Sequence, residues 1–166
     1  MTIREITAEE SAAFKDFFVQ GLIDRADCFR ITPRDLALQP FPTSNTKDSF
    51  TLGAFDEADN WLGTASFKRE GIERERLRHQ GLLFFMYVSG RSESKGIGSQ
   101  LIDVILQKVK DQTDIEQIVL TLTGTNFRAR KLYLSKGFEP YGYQKKAIKW
   151  NDGYLDEELM CLFIDR

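Results

Sequence analysis

Apolar positions change period several times along this chain, and each change marks an element. "TIREIT" alternates Ile3 and Ile6 with polar neighbours and predicts a short first strand. Thr7 ends it as a helix N-cap, and Glu10, three residues on, completes a capping box. In "SAAFKDFFVQGLI", Phe14, Phe17, Phe18 and Leu22 recur at helical spacing, which predicts an amphipathic helix. "PRDLAL" reads as a short second helix, and the two prolines of "QPFPTSN" force extended or turn structure after it. "SFTLGAFD" and "NWLGTASFKRE", separated by "EAD", predict an antiparallel hairpin.

The charged stretch "REGIERERLRH" is expected to be a solvated connection. After it, "GLLFFMYV" is a nearly continuous apolar run, as in a strand buried on both faces. From Gly96 the period becomes helical, with Ile97, Leu101, Ile105 and Val109 recurring every four residues. "IEQIVLTLT" predicts another strand, and "NFRARKLYLSKGF" another helix, with Gly137 placed for the left-handed C-terminal position. Two last strands, around "AIKW" and "LMCLFI", flank the turn "NDGY". The order is β-α-α-β-β-β-α-β-α-β-β, and its strand-helix-strand passage from Leu82 to Thr123 requires a parallel crossover. The fold class is therefore α/β, a mixed sheet with helices on its faces.

Composition narrows the picture without changing it. The 166 residues suit one domain spanning 1–166, with no repeat or linker, and 42% apolar with 29% charged residues is ordinary for a globular protein. A net charge of -2 argues against nucleic acid as the main partner. Cys28 and Cys161 lack metal-ligand spacing, so they read as thiols in a reducing compartment, and no metal site is expected. No run has the length to span a bilayer, and the first residues lack the apolar core of a secretory signal, so the expectation is a cytoplasmic protein without a membrane partner.

Candidate chemistry centres on "GRSESKGIGSQL", Gly90 to Leu101, where the apolar strand gives way to a helix. A helix N-terminus offers unpaired backbone N–H groups and partial positive charge, and glycines let an anion approach that backbone. Two phosphate loops fail here. The Walker pattern breaks because Ile97 follows Gly96, and the dinucleotide fingerprint breaks at Leu101. Thirty residues after Gly96, Asn126 opens "NFRARKLYLSKGF", which fits Asn-x-x-Ala-x-x-Leu-Tyr-x-x-x-Gly-Phe in full.

On these two motifs the chain resembles the GNAT superfamily of acyl-CoA-dependent N-acetyltransferases. The resemblance implies a central, mostly antiparallel mixed sheet with a splayed fourth strand and helices on both faces. It implies acetyl-CoA as co-substrate, its pyrophosphate on the backbone of Ser94, Lys95, Gly96, Ile97, Gly98 and Ser99, and its pantetheine along Met86, Tyr87 and Val88. Asn126 matches the family's pantetheine-contacting Asn, and Tyr133 its general acid. Glu93 departs from the family pattern, standing where Arg or Gln is usual.

The activity implied is acetyl transfer to a primary amine of a small molecule or peptide. A tyrosine hydroxyl stays protonated at neutral pH and suits the leaving thiolate. For the base, no carboxylate stands between Gly81 and Val88; His79 is the named candidate, beside Glu73, Glu75, Asp156 or a water relay. Arg91, Lys95, Arg128 and Arg130 are cations within reach of nucleotide phosphates or simply solvated. A catalytically silent acyl-CoA-binding domain of the same fold is the alternative, and an exposed strand edge would support a homodimer.

Overall fold

The computed structural model describes residues 1–165, the side chain of Gln112 excepted. Seven strands form one sheet: β1 (Thr2–Ile6), β2 (Ser49–Phe55), β3 (Trp61–Arg69), β4 (Gln80–Val88), β5 (Gln117–Thr123), β6 (Glu139–Trp150) and β7 (Gly153–Phe163). Their order is β1-β2-β3-β4-β5-β7-β6. Every neighbouring pair is antiparallel except β4 and β5. The helices are α1 (Ser11–Asp24), α2 (Pro33–Leu38), α3 (Ile97–Gln112) and α4 (Phe127–Ser135). The chain thus has the mixed sheet expected of its pattern, mostly antiparallel as the resemblance implies.

Two apolar clusters lie on opposite faces of the sheet. One packs Ile97, Leu101, Ile105 and Val109 of α3 against Leu52, Phe67 and their neighbours. The other packs Phe14, Phe18 and Leu22 of α1 with Leu36 of α2 against Ile6 and Phe55. The helical spacing read from the sequence is the spacing that buries these residues. No helix among the described residues is long and apolar enough to cross a membrane.

The continuous apolar run of β4 serves both clusters through a bulge. Across Thr64 to Ser66 of β3 the partners are Tyr87 and Phe84, so β4 carries one residue more than β3 does. Phe85 takes up the irregularity at φ 48°, a left-handed conformation that costs a bulky residue on the order of 1 kcal/mol. One extra residue reverses the inside-outside parity of everything after it. Leu83 therefore faces the α3 cluster, Phe85 and Tyr87 face the α1 cluster, and Met86 and Val88 face α3 again.

The parallel pairing of β4 with β5 is short, Gln80 to Leu82 against Gln117 to Val119. Beyond it the two strands separate, and the rest of β4 has no paired strand on that side among the described residues. This is the splayed fourth strand implied by the resemblance. The first of the two last strands differs from expectation, since it begins at Glu139 and runs 12 residues rather than centring on "AIKW". It lies at the sheet edge, and most of its residues are exposed on both faces, so it lacks an alternation to read.

Candidate active site

The strand-to-helix joint is built from backbone. Ser94 at φ 63° and Gly96 at φ 76° both adopt left-handed conformations, which turn successive N–H groups out of the chain direction. Gly96 is the N-cap of α3 and has no side chain to cap the first turn. The N–H of Gln100 returns to the Gly96 carbonyl at 3.0 Å, while the N–H groups of the turn before it point to the helix end. Gly98 lies where α3 comes closest to β4 and α4: a Cβ there would stand 3.0 Å from Met86 Cε and 3.1 Å from Leu132 Cδ2.

A cavity of about 270 Å³ opens beside this joint, walled by Gly96, Gly98 and Ser99, by Met86 and Val88 of β4, and by Asn126. A second cavity of about 540 Å³ lies at the gap in the sheet. Its walls include Phe18 and Phe41 from the α1 face and Leu132 and Tyr133 from α4. Cys28, Phe29, Met86, Asn126, Ala129 and Leu132 line both, so the two cavities adjoin. The second lies between the splayed strands, with residues of both β4 and β5 in its wall.

Asn126 stands at the junction as the N-cap of α4, its Oδ1 accepting from the Ala129 N–H at 3.1 Å. That bond orients the side chain. Tyr133, two turns on, is buried at 6% exposure against Phe138 and also lines the second cavity. Burial pushes its hydroxyl well above the usual tyrosine range, so it keeps its proton. Cys28 is half-buried beside Asp27, and its thiol is pushed up to about 11, chiefly by burial.

Arg25, Glu93 and Arg128 bring charge to the wall of the first cavity. Glu93 pairs with Arg25, the C-cap of α1, at 3.0 Å, and with Arg128 in the first turn of α4. One carboxylate thus joins two helices from opposite faces of the sheet. A family model described as an acetyltransferase (GNAT) domain matches residues 37–159. The chain belongs to the GNAT acetyltransferase family.

Solved structures agree on the fold of this GNAT domain. An acetyltransferase of the GNAT family from Streptococcus pneumoniae is 22% identical, with 99% of both chains covered and a TM-score of 0.81. A phosphinothricin acetyltransferase from Sinorhizobium meliloti, in complex with acetyl-CoA, is 20% identical, covering 98% of this chain and 88% of that one, with a TM-score of 0.82. A ribosomal-protein-alanine N-acetyltransferase from Brucella melitensis is 19% identical, covering 98% and 99%, with a TM-score of 0.78. No curated protein sequence matches.

Within the GNAT domain, Met86, Tyr87, Val88, Ser94, Gly96 and Ile97 line the first cavity, as do Gly98, Ser99 and Asn126. Lys95 is exposed and outside it. Tyr133 belongs to the second cavity, which it shares with Asn126. His79 lies at the opposite end of β4, beside the start of the β4–β5 pairing, and lines neither cavity. Its ring stands 3.5 Å from the Gln80 amide. Glu73 and Glu75 are exposed in the charged connection, and Asp156 is engaged by the Tyr143 hydroxyl and the Lys146 N–H. Arg130 pairs with Glu158, and Arg91 is exposed outside the cavities.

Arg25, Cys28 and Phe29 are wall residues that sequence reasoning did not single out. They follow α1 directly, but their meeting with the joint 65 residues later is a tertiary contact with no local signature.

Proposed function

We propose that this protein transfers the acetyl group of acetyl-CoA to a primary amine of a small molecule or peptide by direct attack, with Tyr133 as the general acid. The observation that carries this reading is the pair of adjoining cavities at the β4–β5 gap, with an uncapped helix N-terminus at the first and the buried Tyr133 in the wall of the second. Acetyl-CoA is bound in the Sinorhizobium meliloti protein of the same fold.

The residues fit an elongated anionic thioester. The left-handed backbone at Ser94 and Gly96 and the free first-turn N–H groups of α3 suit a pyrophosphate, needing no side chain to do so. The unpaired edge of β4 after Leu82 offers backbone groups to pantetheine, and Asn126 offers its amide nitrogen at the junction. When bound, acetyl-CoA supplies an activated acetyl group whose leaving group is a thiolate. A backbone N–H on the bulged edge polarises the acetyl carbonyl, and the Tyr133 hydroxyl holds a proton for the departing sulfur. Cys28 lines both cavities, but burial pushes its thiol up to about 11, which disfavours it as an acyl acceptor.

Glu93 favours a second reading, a catalytically silent acyl-CoA-binding domain, because its carboxylate holds the two arginines nearest the mouth. Calorimetric titration of acetyl-CoA into the wild type and a Gly96→Trp variant, followed by thiol release against a panel of amines, tests both. Binding lost in the variant together with turnover supports the enzyme. Binding without turnover of any amine leaves the silent domain, and absence of binding to folded wild type overturns both readings.

A further inference from the structure

The second cavity is walled by aromatic and aliphatic side chains, among them Phe18, Phe41, Phe84 and Phe85. Its charged lining is all of one sign. Arg30 and Lys68 contribute to the wall, and no aspartate or glutamate does among the described residues.

Arg30 is supported from behind. Its Nε lies 2.9 Å from Oε1 of Glu157, a β7 carboxylate whose side chain is 1% exposed, whereas the arginine side chain is 63% exposed. The contact lacks the alignment of a hydrogen bond, leaving that oxygen without a hydrogen-bond partner. Burial raises the Glu157 carboxyl and Arg30 opposes the shift, so the two are mutually dependent. A buried acid holds the Nε side of the guanidinium, and Arg30 lines the cavity. Lys68 Nζ sits 5.4 Å from the Phe84 ring centroid and 3.6 Å from the partly exposed Glu70, a pairing weakened by solvent.

We infer that the acceptor is an amine carrying an anionic group, such as a carboxylate, on an apolar or aromatic body, with Arg30 and Lys68 as the residues that select it. This rests on the acetyltransferase reading above and adds the acceptor's chemical class. A carboxylate can pair with the planar guanidinium through charge-assisted hydrogen bonds, and the 63% exposure of Arg30 leaves it open to a ligand. Polyamines and other polycations meet like charge and no carboxylate wall.

The test compares L-phenylalanine with 2-phenylethylamine, which differ by one carboxylate, and with spermidine. Steady-state acetylation and direct calorimetric binding are measured on the wild type, Arg30→Gln, Lys68→Gln and the double variant Arg30→Gln/Glu157→Gln, which leaves no buried acid uncompensated. The expected result is a KM for phenylalanine about tenfold or more below that of phenylethylamine. That preference collapses in the Arg30 variants through the KM for phenylalanine and shrinks in Lys68→Gln. Equal use of the pair, preference for spermidine, or a preference untouched in every variant overturns the inference while leaving the acetyltransferase reading standing. If no amine is acetylated, that reading falls. In that case, phenylalanine binding in preference to phenylethylamine, lost in the Arg30 variants, upholds the anion site alone, and no such preference overturns it too.

Discussion

Glu93 and Arg128 form an ion pair across the mouth of the cavity that ends at the α3 N-terminus, and the same carboxylate holds Arg25 at 3.0 Å. A pyrophosphate entering here meets a carboxylate already occupying the two guanidinium groups. Like charges at such a mouth weaken anion binding, and the arginines lose part of their value to it. Glu93→Gln removes the charge and frees Arg25 and Arg128. The affinity for acetyl-CoA is expected to rise about fivefold at low salt, the size of a modest surface charge interaction, and the gain to shrink at high salt. Calorimetric titration at two ionic strengths reads both. Weaker binding in the variant would mean that Glu93 organises the mouth rather than obstructing it.

Tyr133 yields a prediction with two separable parts. Removing its hydroxyl in Tyr133→Phe is expected to lower kcat about a hundredfold, with a much smaller effect on acetyl-CoA binding, as suits loss of a proton donor. The second part concerns stability. Its folded pKa is raised above the unfolded value by burial, so its contribution is present below about pH 10 and is lost as pH rises towards the folded pKa. The wild type is therefore expected to lose more stability than Tyr133→Phe in urea titrations above pH 10, while the two differ little at neutral pH. An unchanged kcat would remove Tyr133 from the chemistry.

The site that makes these predictions possible was only partly legible in the sequence. Period changes located α3 and α4 because each buries one continuous stripe, and the glycines marked the joint because Gly96 adopts a conformation that side chains avoid. The bulge was not legible. Phe85 is an ordinary apolar residue, and its left-handed backbone follows from demands made by both clusters on β4 at once. The clasp at Glu93 was half visible, as a departure from the family pattern, but its partner Arg25 comes from the far end of α1, beyond the reach of local pattern. The pairing of Arg30 with Glu157 was missed for the same reason, since their separation in sequence closes only when β7 pairs with β5.

Cys28 lies where the two cavities meet, and its position invites a covalent acyl-enzyme. Its chemistry opposes that. With the thiol at about 11, the nucleophilic thiolate is a small fraction at neutral pH. Cys28→Ser is expected to retain kcat within about twofold, and iodoacetamide labelling of Cys28 at pH 7.5 to be far slower than for a free thiol of ordinary pKa near 8.5, accelerating as pH approaches 11. Initial-rate patterns should intersect rather than run parallel, since parallel lines report a covalent intermediate. Parallel patterns abolished in Cys28→Ser would reverse this assignment.

Arg69 ends β3 next to Lys68 but lines neither cavity itself, and its removal tests whether stability and function separate. Its side chain is 2% exposed and donates from Nη2 to Asp48 at 2.7 Å and to Asp114 at 2.6 Å, with a further bond to the Arg78 carbonyl. The guanidinium thus ties the segment before β2 and the α3–β5 connection to the end of β3. Taking away one partner of a buried pair strands the others without a counter-charge. Because Asp114 is 70% exposed and solvent compensates it, Arg69→Ala is expected to cost about 2–3 kcal/mol rather than the upper range for such pairs. The pH dependence has a definite sign. Hydrogen bonding to Arg69 lowers the Asp114 carboxyl, so its share of the stability is present above the unfolded pKa near 4 and is lost as pH falls through the folded value. Urea unfolding of the variant should therefore show a shallower acid decline than wild type between pH 5 and about pH 2. Acetyl-CoA affinity, measured where both proteins are folded, should be unchanged, because Arg69 lines neither cavity. A parallel loss of affinity would mean that the β3 end and the α3 joint are coupled through the short β4–β5 pairing.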